Sequence, residues 1–188
     1  MNAGYFGESQ FQREYIQAVI KIIILILPER FPDFLFLHNI MELLMRRNTP
    51  VTQNEYLLNA GSTLMSTTDI KSHITYANSA FIEASGYKEE HLLGEPHNLI
   101  RHPDMPAEAF GDMWFTLQQG ETWTGLVKNR RHNGDHYWVR ANVTPVWQGE
   151  SLTGYISVRN IPSREEIAAS EKLYAKVRNN ELKHHRFY

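Results

Sequence analysis

The apolar positions of this chain change period as the sequence proceeds. From Ala18 to Leu27 they run almost unbroken (AVIKIIILIL), with Lys21 inside and Pro28-Glu29 as a stop. From Thr63 short alternating runs take over. Leu64 to Thr67 and Ile74 to Ala77 predict two strands joined by a turn at Asp69 to Ser72. Ser79 then suits the cap of a short helix carried by Phe81, Ile82 and Ala84 and ended near Gly86. Lys88 to Leu93 adds a helical turn closed by Gly94. Pro106 suits the first turn of a longer helix that runs to about Gln119 and stops at Gly120. Phe110, Met113, Trp114 and Leu117 fall on one face of it.

Strands follow at Trp123 to Arg130, His136 to Trp147 and Leu152 to Arg159, with hairpins at Asn133-Gly134 and Gly149-Glu150. Alternation puts Trp123, Val127 and Asn129 on one face of the first and Val139, Ala141 and Val143 on one face of the second. A two-residue Asn-Gly turn would set Val127 opposite Arg140. A three-residue loop, Asn133-Gly134-Asp135, sets Val127 opposite Ala141 and Asn129 opposite Val139, and burial favours it. Asn129 then points into the apolar side of the sheet, where its amide needs a partner. Lys128 and Arg130 point the other way and read as a solvated strand face. Beyond the strands, Ser163 with Glu166 forms a capping box, and Ile167, Leu173, Tyr174 and Val177 make a partial apolar stripe. That helix packs on the domain or pairs with a second copy.

This order predicts an α+β domain: a five-stranded antiparallel sheet with helices on one face, flanked by N- and C-terminal helices. The expected divisions are an apolar N-terminal extension at 1–44, an N-terminal cap at 45–62, the core domain at 63–162 and a C-terminal helix and linker at 163–188. The apolar run is too short to span a membrane as a helix, and it makes a poor signal peptide. An interfacial helix, a packed helix and a non-native extension remain open for it. Met45-Arg46-Arg47-Asn48-Thr49-Pro50 reads as a natural chain start.

Composition removes several function classes. The 188 residues contain no cysteine, which excludes disulfides, iron–sulfur clusters, thiolate zinc sites, covalent c-type haem, a Cys nucleophile and a cysteinyl–flavin adduct. Net charge is −2 with both signs interspersed, which gives no basic field for nucleic acid. There is no G-x-G-x-x-G for a nicotinamide cofactor and no HExxH for zinc. What stands out is His97-Asn98-Leu99-Ile100-Arg101-His102-Pro103-Asp104-Met105-Pro106, where ligand-binding side chains are held on a proline-stiffened loop. Such a set suits an anionic, hydrogen-bonding ligand such as a nucleotide.

These residues resemble a PAS domain, and more narrowly the flavin-binding PAS domain of bacterial aerotaxis receptors. The resemblance rests on Leu64-Met65-Ser66-Thr67-Thr68-Asp69, Ile74-Thr75-Tyr76-Ala77-Asn78, Ser85-Gly86-Tyr87, the loop Pro96 to Pro106, Asp112 to Leu117, Trp123 to Asn142 and Gly154 to Arg159. The loop joined to Val127-Lys128-Asn129-Arg130-Arg131 is its most specific part. The resemblance implies non-covalent FAD between helices and sheet, redox state as the signal, no enzymatic activity and a homodimer. It further implies a cytoplasmic location near the membrane's inner face and a chemotaxis transducer or HAMP-type signalling module as partner. Asn98, Arg101, His102 and Asp104 correspond to the family's ligand loop. Asn78, Trp114, Trp123 and Asn129 correspond to positions that line the site or transmit its state.

The chemistry of these residues is compatible with that ligand. Arg101 offers a bidentate fork to a pyrophosphate, and His102 can donate a hydrogen bond. Asp104 suits orienting Arg101 or His102, or capping the helix that follows. Trp114 and Trp123 offer flat apolar walls, and Asn129 can both donate to and accept from a ring edge. Two rival readings keep the same fold: a haem-binding gas sensor using His91, His97 or His102, and a cofactor-free dimerisation module.

Overall fold

A computed structural model describes residues 50–179 and Glu181. The readings made for 1–44, for 45–49 and for the last residues of the chain fall outside these. Strands β1 (Leu64–Thr68), β2 (Ile74–Ala77), β3 (Trp123–Arg130), β4 (His136–Gln148) and β5 (Ser151–Asn160) form one antiparallel sheet in the order β2-β1-β5-β4-β3. Helices α1 (Ser79–Ser85) and α2 (Ala107–Gln118) and 3-10 turns at Glu89–His91 and His97–Ile100 come between β2 and β3. Helix α3 (Arg164–Arg178) follows β5. The predicted α+β order and five-stranded sheet are present.

The local chemistry explains the boundaries and corrects some of them. Helix α1 is capped by Asn78 rather than Ser79: the Asn78 side-chain oxygen accepts from the Phe81 amide at 3.0 Å. Gly86 ends it in the left-handed conformation, at φ 70°. Pro106 stands at the cap of α2, one position before its first turn. The Ser163–Glu166 capping box is formed in both directions.

The β3–β4 hairpin has a register of its own. Val127 lies opposite Val139, Gly125 opposite Ala141 and Asn129 opposite Tyr137, so the expected pairs Val127–Ala141 and Asn129–Val139 are corrected. Gly134 donates to the Arg131 carbonyl at 3.0 Å and Arg131 to the Asp135 carbonyl at 2.7 Å, so the loop residues are His132-Asn133-Gly134. Gly134 takes φ 97°, which suits the glycine of a bulged three-residue hairpin. The loop is centred one residue earlier than expected and the register differs by two. A slip of two preserves which side chains face which way, so the face assignment stands although the pairing does not.

The inner face of the sheet carries Trp123, Val127, Asn129, Tyr137, Val139 and Ala141, all buried, beneath α1 and α2. Leu64, Ile74, Phe81, Leu92, Ile100 and Leu117 complete this core. Part of the opposite face is covered as well, by α3. Tyr174 stacks on Trp138 with ring centroids 6.2 Å apart and donates to the Leu126 carbonyl at 2.5 Å. Ile167 and Val177 are buried beside it, and Arg140 pairs with Glu166. Each fully buried apolar side chain of this kind is worth about 1.5–3 kcal/mol. The stripe therefore packs on its own domain.

Residues 50–62, the described part of the expected N-terminal cap, form no helix, and the N-terminal helix reading for Ala18 to Leu27 lies outside the described residues. They are an extended strap. Thr52 donates to the Gly134 carbonyl at 2.8 Å and Tyr56 to the His136 carbonyl at 2.7 Å. Arg164, the first residue of α3, grips the Glu55 carboxylate with both contacts at 2.8 Å.

Candidate functional site

A polar group sits in the middle of the inner face. Its centre is Arg159, which is 4% exposed. Its guanidinium donates to Ser66 Oγ at 3.0 Å and to His97 Nε2 at 2.8 Å, and lies 5.1 Å from the Phe81 ring centre. Among the described residues no carboxylate pairs with it. Burial pulls its pKa down to about 10. Because an arginine only donates, His97 Nε2 must accept, and the His97 proton resides on Nδ1. Burial and the neighbouring guanidinium push the His97 pKa down to about 3, so the imidazole is neutral.

Three buried groups on the same face of the sheet lack partners. Asn129 Nδ2, the Tyr137 hydroxyl and Ser157 Oγ make no hydrogen bond. Asn129 and Tyr137 face each other across the ladder. The amide opposes the upward push of burial on the phenol, without a well-formed hydrogen bond between them. A buried donor left unmatched costs about 1–3 kcal/mol, which makes these three atoms candidate contacts for a bound group.

The flat walls come from β3 and α2. Trp123 is buried and donates its indole N–H to Asp112 Oδ2 at 2.9 Å, which fixes the ring between strand and helix. Trp114 is half-buried and meets Tyr155 edge-on with centroids 5.3 Å apart. Both project from the side of their element that faces the site.

The loop from His97 to Pro106 runs along the free edge of β3, where Arg101 pairs with Asn129. Its residues part company. Asn98 is exposed, and the half-buried Arg101 guanidinium lies 3.9 Å from the Phe110 ring centre. His102 is fully buried, 5.7 Å from the His136 ring, and its Nδ1 accepts from the Asp104 amide at 3.1 Å. Burial and Lys128 lower its pKa to about 4. Asp104 binds Lys128 Nζ at 2.7 Å. Burial opposes ionisation of its carboxyl, but Lys128 holds the pKa below the ordinary range.

These placements correct some sequence readings. Asn78 accepts from Met65 and Phe81 and donates to the Thr63 carbonyl, so its amide is spent on the backbone, tying β1 to α1. Lys128 and Arg130 are not a solvated face: they are 5% and 4% exposed. Arg130 is held by the Pro50 carbonyl and the Tyr87 hydroxyl. The loop and the N-terminal strap cover that edge of the sheet, a covering that strand alternation does not reveal.

Sequence reasoning missed Arg159, Ser157, Tyr137, His97 in its bonded role and Asp112. One signal was available. Tyr155, Ser157 and Arg159 share a face of β5, and that polar set on the inward parity marks a lined site. The histidines proposed for haem are committed elsewhere. His97 Nε2 is taken by Arg159, His102 carries its proton on the nitrogen a metal would need, and His91 stands in a peripheral 3-10 turn beside Glu90.

Residues 74–157 match the model of the PAS fold. The chain is 57% identical over 124 residues to the aerotaxis receptor of Escherichia coli, covering 66% of this chain and 24% of the receptor. It is 33% identical over 126 residues to the nitrogen fixation regulatory protein of Klebsiella pneumoniae, again 66% of this chain and 24% of the relative. The chain thus spans about a quarter of the length of these relatives. Among solved structures it superposes on the dark-state blue-light photoreceptor Aureochrome1 LOV with a TM-score of 0.52 at 20% identity, covering 63% of this chain and 86% of that one. A light-oxygen-voltage domain studied with a flavin analogue gives 0.50 at 24% identity, covering 64% and 87%. At those identities the structures speak for the fold.

Proposed function

We propose that this chain is a PAS-type sensory module, not an enzyme, that binds FAD non-covalently and reports redox state to a signalling partner, as its match to the PAS fold over residues 74–157 and its likeness to the aerotaxis receptor suggest. One observation carries the reading. One face of the sheet buries Arg159 without a carboxylate, carries the unmatched side chains of Asn129 and Ser157, and bears the aromatic rings of Trp114, Trp123 and Phe81 on it or on the helices that cover it. A planar ring with apolar faces and an amide-like polar edge fits that set. The resemblance to the aerotaxis receptor points the same way.

Bound FAD supplies reversible electron uptake and a change of proton occupancy at its ring edge. The residues of this chain do the rest. Asn129 presents an amide that can donate or accept, so it can follow a change of edge polarity by rotating. Arg159 would offer the bound group a fixed positive charge, and His97 and Ser66 fix the guanidinium in place. Trp123, anchored to Asp112, excludes water from one wall. Arg101, on the rim over Phe110, is the residue to meet the pyrophosphate, with Asn98 beside it. His102 and Asp104 act behind the rim, ordering the loop. Residues 63–162 form the sensor and 163–188 the link onward. The partner is a chemotaxis-type transducer or HAMP-type module, in cis or trans, with the domain acting as a homodimer at the cytoplasmic face. No helix among the described residues is long and apolar enough to cross a membrane.

The test is an absorbance spectrum of protein made with riboflavin supplied, before and after dithionite. The expected result is paired near-ultraviolet and blue bands that bleach, with FAD released by heat. A colourless protein, or a Soret band, overturns the reading.

A further inference from the structure

The loop that borders the site is held from behind by the C-terminal helix. Asp104 stands at the centre of the contact. Its carboxylate binds Lys128 Nζ at 2.7 Å, its amide donates to His102 Nδ1 at 3.1 Å, and its backbone carbonyl accepts from Arg178 in the last turn of α3. The next residue, Met105, accepts the Lys128 amide on its sulfur at 3.2 Å. Upstream, Arg101 pairs with Asn129, whose side chain faces the site. A short stretch of proline-stiffened chain therefore connects the site to α3. The helix end is itself fixed to the sheet through Tyr174, Trp138 and the buried Val177.

We propose that Arg178 and Lys128 are positioning residues of the ligand site, and that α3 docking and ligand binding are coupled through Asp104. The ligand's identity rests on the function proposed above; the coupling rests on these contacts. Ordering the loop from Arg101 to Met105 against β3 is needed both to place Arg101 at the rim and to present the Asp104 carbonyl to Arg178. A ligand that orders the loop therefore favours the docked end of α3, and docking favours the ligand by the same factor. The chain continuing beyond α3 would feel site occupancy through a grip on the loop. This route differs from one through Asn129 and the sheet.

Arg178 is exposed, so replacing it leaves the core intact. The experiment uses the full chain as wild type, Arg178→Ala and Arg178→Lys. It reads hydrogen exchange of 101–106 and of 164–178, with and without FAD, together with FAD affinity. In wild type, FAD slows exchange in the last turn of α3. In Arg178→Ala that response is lost, the loop exchanges faster without ligand, and FAD binds about three-fold more weakly, the scale of one modest hydrogen bond. Arg178→Lys restores part of each. A purely structural role would lower stability equally with and without FAD and leave the response of α3 in place. That result with unchanged affinity overturns the proposal. If wild type takes up no FAD, the proposed function fails and the coupling with it. The positioning role is then decided by ligand-free exchange of the loop: faster in Arg178→Ala upholds it, unchanged overturns it.

Discussion

Replacing Arg159 by methionine separates what the inner face does for the fold from what it does for a ligand. The guanidinium is buried without a counter-charge, and its pKa falls to about 10. The fall corresponds to a burial penalty of about 3 kcal/mol for the charged form, carried by the folded protein at neutral pH. Methionine removes the penalty and fills a similar volume. The hydrogen bonds it deletes leave few orphans, because Ser66 Oγ and His97 Nε2 lie 3.2 Å apart and still pair. Losing the bonds to Ser66 and His97 costs about 1–3 kcal/mol together. The balance places ligand-free Arg159→Met between unchanged and about 2 kcal/mol more stable, a rise in Tm of up to about 8 °C. Flavin affinity should move the other way, by ten-fold or more, since the fixed charge at the ring edge is gone. Thermal denaturation of flavin-free protein followed by circular dichroism, beside flavin-fluorescence titration, checks both arms. A ligand-free Tm lowered by more than about 5 °C would show that Arg159 is kept for the fold, and unchanged affinity would show that it does not face the ligand.

The remaining expectations test other parts of the molecule. A Cβ on Gly154 would stand 2.0 Å from the Thr68 carbonyl oxygen, so Gly154→Ala must part β5 from β1 and should cost about 3 kcal/mol or more in urea denaturation. His97 and His102 are held neutral in the fold, with pKa values near 3 and 4, but titrate at an ordinary 6.5 when unfolded. Their contribution is therefore complete above pH 6.5 and is lost as pH falls toward those folded values. Near pH 5 the two together should remove about 3 kcal/mol of stability per pH unit, and His102→Asn should halve that slope; a flat profile from pH 6.5 to 4.5 refutes the assignment. Trp123→Phe removes the indole bond to Asp112 and should cost about 1–3 kcal/mol by denaturant titration, a loss that shrinks in an Asp112→Ala background if that bond is the cause.

Much of this protein was legible along the chain, because it rests on interactions between near neighbours. Alternation at Trp123, Val127 and Asn129, helical spacing at Ile167, Tyr174 and Val177, and the Ser163–Glu166 cap each repeat a local rule of backbone geometry, and the structure keeps all of them. The inward face of β3 survived even a wrong pairing, since side-chain parity is insensitive to a register slip of two. The loop from His97 to Pro106 stood out through residue chemistry alone.

Tertiary structure decided whatever depended on partners distant in sequence. Lys128 and Arg130 alternate outward as any exposed pair would, and only the loop and strap closing over that edge of the sheet bury them. The Asn78 amide is spent on the fold because β1 brings the Met65 amide, and the chain before it the Thr63 carbonyl, to its side chain. Parity alone puts Arg159 on the inward face, but its bonded role was settled by partners, Ser66 and His97, that lie 93 and 62 positions away. Whether α3 faced its own sheet or a second copy turned on Trp138 offering it a ring, a match of surfaces that no local pattern encodes. Propensity and parity act within a few residues, whereas desolvation and hydrogen-bond pairing are settled only once the chain has closed around them.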